Sequence, residues 1–156
     1  MRQSVILTHN VEMGHRLSMQ PNSKCFQLHG HSWWVELELE GDVKDDGMVV
    51  EFGHVKKLWR EYLDTTFDHH LCLNSKDPFM EVMAIVAEIG EVTQEYEKIL
   101  TEWGVTTIGQ QDPTVENMAA LWGNHALNLF REDVSRLVVS IKVREASTNA
   151  ATWSSR

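Results

Sequence analysis

The chain has few cysteines and no long apolar run. Cys25 and Cys72 are the two cysteines among 156 residues, which is too few for a disulfide framework. No stretch approaches the roughly 20 apolar residues of a membrane span, and the N-terminus lacks the apolar run and cleavage site of a secretory signal. The sequence therefore predicts a cytoplasmic protein with free thiols and no membrane partner.

Positive charge is also scarce. The 14 Lys and Arg residues against 23 Asp and Glu residues give a formal net charge of −9. This balance argues against a general nucleic-acid binder, although a local basic pocket could still hold an anion. With 42% hydrophobic residues and no repeat or linker, residues 1–156 are expected to form a single globular domain.

Period-2 patterning predicts a small sheet. Residues 28–40 alternate Val35, Leu37 and Leu39 with glutamates, which is typical of a half-buried antiparallel strand. Weaker signals predict further strands over 2–12, 105–108 and 136–143. Since a four-stranded sheet has open edges, oligomerisation through them is expected.

Helical spacing predicts three helices. The first spans 52–64, and the third spans 113–130, with Asp112 as its N-cap and Pro113 in its first turn. The second spans 81–103, within a helical insertion at 79–103, and is interrupted at Gly90. Its apolar positions at helical spacing are Val82, Ile85, Val86, Ile89, Val92, Tyr96, Ile99, Leu100 and Trp103. The order of elements favours an α+β fold with helices on one face of an antiparallel sheet.

Three histidines form a candidate metal site. His29 and His31 lie two residues apart on a predicted strand, so their side chains share a face. His15 ends the preceding strand, where antiparallel pairing would bring it beside them. Neutral imidazoles suit zinc, which in catalytic sites takes three protein ligands. The pair alone is weak evidence, because such histidines are more often surface or structural residues.

Other residue types point to proton transfer. Cys25, four residues before His29, could be a base or nucleophile, although an isolated cysteine is more often a small buried hydrophobe. Asp68 directly precedes His69, an arrangement that can fix a histidine tautomer or simply end a helix. Glu145 could accept two parallel hydrogen bonds from a guanidine-like edge, or be a solvated charge at a strand end.

In this order, the motifs resemble the family of 6-pyruvoyltetrahydropterin and 6-carboxytetrahydropterin synthases. The matching segments span nearly the whole chain and are GHRL at 14–17, CFQLHGHSW at 25–33, GMVVEF at 47–52, FDHH at 67–70, LN at 73–74, DPTVEN at 112–117 and the final KVREAST.

The resemblance implies a tunnelling fold and a set of residue roles. The fold is a four-stranded antiparallel sheet with helices on one face, whose subunits join into oligomeric barrels, commonly trimers stacked into hexamers. The implied zinc ligands are His15, His29 and His31. The remaining implied roles are Cys25 as the proton acceptor, Asp68 and His69 as its acid–base partners, and Glu145 as the residue that anchors the pterin.

The resemblance also implies a reaction. The spacing Cys-x3-His-x-His is similar to that of the 6-carboxytetrahydropterin synthases. The implied activity is a zinc-dependent lyase that converts 7,8-dihydroneopterin triphosphate to 6-carboxy-5,6,7,8-tetrahydropterin, with release of acetaldehyde and triphosphate, toward 7-deazapurines such as queuosine. The alternatives are the pyruvoyl activity, which keeps the side chain, and a non-catalytic zinc- or pterin-binding protein. A cupin-like oxygenase is disfavoured because Glu36 has the opposite alternation from His29 and His31.

Some positions depart from the family pattern, and the triphosphate requires local cations. The departures are Met13-Gly14 before His15, Glu51, Ala146 and Trp153. The basic residues near the motifs, any of which could contact the triphosphate, are Arg16, Lys24, Lys142 and Arg144.

Overall fold

The computed structural model describes residues 1–86, 94–130 and 136–156. Its sheet has six strands in the order β4-β3-β1-β2-β5-β6, namely β1 (Arg2–His15), β2 (His29–Asp42), β3 (Leu71–Leu73), β4 (Val105–Thr107), β5 (Val138–Arg144) and β6 (Ala150–Ser154). The helices are α1 (Phe52–Thr66), α2 (Pro78–Val86), α3 (Gln94–Glu102) and α4 (Val115–Leu129).

A long antiparallel pair forms the centre of the sheet. Strands β1 and β2 have 14 residues each and pair without interruption from Arg2 opposite Asp42 to His15 opposite His29. The odd-numbered residues from Val11 to His15 in β1 and from Trp33 to Gly41 in β2 are buried. Because alternate residues face opposite sides of a sheet, these side chains form one apolar face. They pack with residues of α1 and α4 in the main core, which includes Val11, Trp33, Leu37, Leu39, Trp59, Leu63, Met118 and Trp122.

The prediction of four antiparallel strands is wrong in number and in direction. Strand β3 runs parallel to β1, β4 runs parallel to β3, and β6 adds to β5 on the opposite edge. The three residues of β3 are too few to show a period, and β6, with the sequence AATWS, has too few apolar residues to show alternation. The sheet is therefore mixed.

The helices at the core follow their predicted periodicity, with one change of cap. The N-cap of α4 is Thr114, whose hydroxyl accepts a hydrogen bond from the Asn117 N–H at 3.2 Å, and not Asp112 as predicted. Residues of the predicted helix over 81–103 form α2 and α3, and its positions Ile89, Gly90 and Val92 lie outside the described residues. Within the described ranges, no helix has both the length and the apolar character that crossing a bilayer requires.

Candidate functional site

Three histidine side chains meet at one end of the β1–β2 pair. His15 is paired with His29, and His31 is two residues further along β2 on the same face. One potential ligand atom from each of the three residues lies within 4.8 Å of the other two. His15 is buried, and the other two are partly exposed. The expected juxtaposition of His15 with His29 and His31 follows from the uninterrupted register of the strands.

Backbone carbonyls orient two of these imidazoles. The Nδ1–H of His15 donates to the Pro113 carbonyl at 2.8 Å, and the Nδ1–H of His29 donates to the Gln27 carbonyl at 2.8 Å. Since a carbonyl can only accept, Nδ1 carries the hydrogen in the neutral form of each ring and Nε2 then has a free lone pair. These two Nε2 atoms face each other at 3.1 Å. Two facing acceptors without a proton between them form a site that suits a cation.

Burial keeps His15 neutral. Desolvation, opposed by the Pro113 hydrogen bond and aided by the neighbouring His29 and His31, lowers the pKa of His15 to about 4. Metal ions bind the neutral form of histidine. His15 is therefore in its metal-binding form at neutral pH.

The segment 112–114, directly before α4, orients His15 and anchors the loop after β1. Asp112 is buried, and its carboxylate accepts hydrogen bonds from the Ser18 N–H at 3.0 Å, the Ser18 hydroxyl at 2.9 Å and the Met19 N–H at 2.8 Å. These bonds hold the loop after β1 against Pro113, whose carbonyl orients His15. Asp112 was predicted to be a helix cap, and its role in holding this loop was not predicted, although Asp side chains commonly hydrogen-bond the backbone of turns.

Asp68 and His69 form a hydrogen-bonded pair on the turn between α1 and β3. The His69 Nδ1–H donates to Asp68 Oδ2 at 2.7 Å. Burial alone would raise the pKa of Asp68, but hydrogen bonds from the Glu12 N–H and from His69, with nearby histidine charge, hold it below its ordinary value. Among the described residues other than glycine, His69 alone has a positive φ, at 60°. Such a backbone conformation is uncommon and is found at functional sites and in turns.

Cys25 lies on a short 3-10 turn, Lys24–Phe26, in the loop between β1 and β2. It is four residues before His29, where β2 begins. Its carbonyl accepts from the Leu17 N–H at 2.8 Å. The Arg16 guanidinium stacks over the Phe26 ring, 4.4 Å from its centroid, and approaches the buried Asp77 carboxylate at 3.2 Å. The Arg16 side chain thus holds the turn that carries Cys25.

The described contacts do not bring all predicted site residues together. No hydrogen bond or ion pair among the described residues joins Cys25 to the Asp68–His69 pair or to Glu145. Glu145 is half-buried just after β5 and lines a separate polar cleft with Thr114, Glu116 and Thr148. The predicted site residues therefore lie in four places: the histidine cluster, the Cys25 turn, the Asp68–His69 pair and the Glu145 cleft. The histidine cluster and the Asp68–His69 pair are neighbours, since His31 and His69 line one open cleft.

Two of the four basic residues that could contact the triphosphate are already paired with carboxylates. Arg16 is engaged with Asp77, and Arg144 pairs with Glu36 at 3.0 Å. Glu36 lies on the face opposite the histidines, as its alternation predicted, so it is not part of their cluster. Lys24 is exposed beside Cys25, and Lys142 lies next to Glu36 on the sheet.

Two of the departures serve structural roles. The Glu51 carboxylate caps α1 by accepting from the N–H groups of Gly53 and His54, both at 2.6 Å. These two hydrogen bonds, the one from His54 first, lower the pKa of Glu51. Trp153 packs so closely on α4 that a Cβ at Gly123 would overlap its ring.

Comparison with known proteins identifies the family. Residues 4–156 match the family model described as 6-pyruvoyl tetrahydropterin synthase. Relatives named 6-carboxy-5,6,7,8-tetrahydropterin synthase include one from Rickettsia typhi, 31% identical over 137 residues, which covers 86% of this chain and 87% of the relative. Another, from Rickettsia bellii, is 32% identical over 135 residues, with 86% and 87% covered.

Solved structures share the fold. The 6-pyruvoyl tetrahydropterin synthase of Plasmodium vivax aligns with a TM-score of 0.74 at 15% identity, covering 99% of this chain and 98% of that one. An uncharacterized protein from Wolinella succinogenes aligns with a TM-score of 0.78 at 19% identity, covering 100% and 99%. By its sequence match over nearly its entire length, the chain belongs to the 6-pyruvoyl tetrahydropterin synthase family.

Proposed function

We propose that this chain is a zinc-dependent 6-carboxy-5,6,7,8-tetrahydropterin synthase. It would convert 7,8-dihydroneopterin triphosphate and water to the carboxypterin, acetaldehyde and triphosphate, as a step toward 7-deazapurines in the cytoplasm. The observation that carries the proposal is the His15–His29–His31 cluster with its facing Nε2 atoms. The names of the Rickettsia relatives support the carboxy product.

The donor set fits a zinc ion. The edge of a tetrahedron with Zn–N bonds of 2.0–2.1 Å is about 3.3 Å, close to the 3.1 Å between the Nε2 atoms of His15 and His29. His15, His29 and His31 would hold the metal and leave a position for substrate. Bound there, zinc would act as a Lewis acid that acidifies carbons bearing the substrate's side-chain oxygens.

The remaining residues would bind the substrate and move its protons. Cys25 would accept a proton from the substrate side chain, and His69 would exchange protons through its Nε2, since its Nδ1–H is held by Asp68. Glu145 would accept two parallel hydrogen bonds from the amino-pyrimidinone edge of the pterin. Lys24, exposed beside Cys25, is the nearby cation best placed to approach the triphosphate.

The chain is also proposed to act as a homo-oligomer. Among the described residues, no hydrogen bond joins Cys25 or Glu145 to the Asp68–His69 pair, and the open sheet edges offer surfaces for association. A trimer-based assembly, a hexamer included, is the state that the family resemblance implies.

The test is anaerobic incubation of zinc-loaded protein with 7,8-dihydroneopterin triphosphate, followed by mass spectrometry of the pterin and an assay for acetaldehyde. Carboxypterin and acetaldehyde in equal amounts are expected. Cys25→Ala should keep zinc and fold but lose turnover. Wild-type turnover by Cys25→Ala would contradict the assignment of the proton acceptor.

A second candidate is the pyruvoyl activity, which eliminates triphosphate but keeps the three-carbon side chain. It is favoured by the description of the family model. The mass of the pterin product separates the two activities in the same experiment. Unchanged substrate with zinc bound would instead favour a protein that binds a pterin without converting it.

A further inference from the structure

One residue of β1, Glu12, holds the turn that carries Asp68 and His69. The Glu12 N–H donates to Asp68 Oδ1 at 2.8 Å, and the Glu12 carbonyl accepts from the His69 N–H at 2.7 Å. Both backbone groups of Glu12 therefore point away from β2 and toward the turn. Asp68 and His69 are docked on a single residue of the strand edge.

The side chain of Glu12 is fixed on the other side, to β2. Both of its carboxylate oxygens lie within hydrogen-bond distance of the Ser32 hydroxyl, at 2.9 and 2.8 Å. Glu12 and Ser32 are opposite each other but do not exchange backbone hydrogen bonds, and such pairs bring side chains closest together. Because Ser32 directly follows His31, Glu12 connects the strand of the histidine cluster with the turn of His69.

Beyond the Glu12–Ser32 hydrogen bonds, which we call the Glu12–Ser32 bridge, two glycines leave the strands without side-chain contacts on that face. The next pair on the same face of the ladder is Gly14 opposite Gly30, which has no side chains to pack across the strands. The Glu12–Ser32 bridge is thus the last side-chain contact on that face before the strands end. It restrains the strand edge where the turn is docked.

His69 depends on such restraint. Its side chain is 79% exposed, so packing does little to orient it, and its φ of 60° is costly for a residue other than glycine. Its orientation comes from the hydrogen bond to Asp68 and from the docking of both residues on Glu12.

We propose that Glu12 is a positioning residue whose carboxylate, bound to Ser32, fixes the strand edge that sets the geometry of the Asp68–His69 pair. The inference rests on the proposed acid–base role of that pair. In this proposal Glu12 acts through Asp68 and His69, to which its backbone N–H and carbonyl are hydrogen-bonded.

The kinetic test compares Glu12→Ala, Glu12→Gln and Ser32→Ala with the wild type. Glu12→Ala and Ser32→Ala should each lower kcat about 10- to 100-fold, with KM and zinc content unchanged, because a small misplacement of a catalytic group is costly. The double variant should be no worse than either single one. Glu12→Gln should retain most of kcat, since its amide oxygen still accepts from Ser32. Glu61→Ala, at an exposed position of α1, is the control and should have wild-type kcat.

A second readout does not depend on turnover. In selectively 15N-labelled protein, His69 should show one fixed Nδ1–H tautomer, and both Glu12→Ala and Ser32→Ala should average its two ring nitrogen shifts. Ser32→Ala removes the same bond without altering β1, so it keeps the test valid where Glu12→Ala fails to fold. An unchanged His69 spectrum and wild-type kcat in Ser32→Ala would overturn the inference. If the wild type makes no carboxypterin but the His69 spectra change as expected, the proposed function fails and the positioning role of Glu12 stands.

Discussion

At the scale of single residues, the proposed zinc site can be tested by removing one of its three histidine side chains. His31→Ala should lower zinc affinity by more than about 100-fold, because it removes one of three ligands, and loss of an outer-shell partner alone costs about 10- to 100-fold. Zinc content after equilibrium dialysis measures the effect. His54→Ala, at the exposed start of α1, is the control and should bind zinc normally. Full zinc occupancy in His31→Ala would remove this histidine from the site.

His125 gives the native protein a pH dependence. It stacks on Tyr62 with ring centroids 3.4 Å apart, and burial lowers its pKa below the ordinary value of 6.5. The unfolded chain therefore binds a proton that the native chain does not. Its contribution to stability is complete above about pH 6.5 and is lost as the pH falls from there through the lower native pKa.

His125→Phe should remove this pH dependence while keeping a ring stacked on Tyr62. Relative to the wild type, the urea midpoint of the variant should rise as the pH is lowered from about 7.5 to about 5.5. An identical pH profile for His125→Phe and the wild type would contradict the burial effect.

The alternation of residues along a strand indicated which side chains share a face. It could not indicate which groups hydrogen-bond to those side chains. The parity of residues 29 and 31 placed His29 and His31 together, and strand pairing added His15. The carbonyls of Gln27 and Pro113 that orient the imidazoles carry no side-chain signal, so sequence alone could not identify them. Glu12 was missed because its role depends on a turn 56 residues away.

At the scale of elements, the loop after β1 depends on Asp112. Asp112→Ala would leave the N–H groups of Ser18 and Met19 without their acceptor, and should lower the free energy of unfolding by about 2–4 kcal/mol. Asp112→Asn keeps one acceptor oxygen but turns an amide N–H₂ toward a donor, so an intermediate loss is expected. Urea denaturation measures both. A loss below about 0.5 kcal/mol in Asp112→Ala would mean that the loop is held by other contacts.

Element length decided which parts of the sheet the sequence could predict. The 14-residue β2 repeats its alternation enough times to be recognised, and α1 shows its apolar face over several turns. The three-residue β3 and β4 are strands because of their neighbours. Val105–Thr107 was predicted within 105–108, whereas β3 was missed because its sequence LCL has no period to read.

At the scale of the whole molecule, the surfaces left open predict self-association. Ile6 and Trp34, 55% and 48% exposed, lie on the sheet face opposite the helices, and β4 and β6 form the two edges. Native mass spectrometry at micromolar concentration should find assemblies in multiples of three. Trp34→Glu should shift the distribution toward smaller species, and Glu61→Gln, at an exposed position of α1, should not. A monomer at every concentration would contradict the proposed assembly.

The uninterrupted ladder between β1 and β2 also bears on how the histidine cluster forms during folding. From Arg2 opposite Asp42 to His15 opposite His29, the pairing contains no bulge that could absorb a slip. A shift of one residue would turn His29 and His31 to the other face of the sheet. An ion bound by His15 and His29 would also close the loop over 16–28, and so would penalise chains paired in the wrong register. We therefore expect metal binding during refolding to stabilise hairpins in the correct register over hairpins in a shifted register.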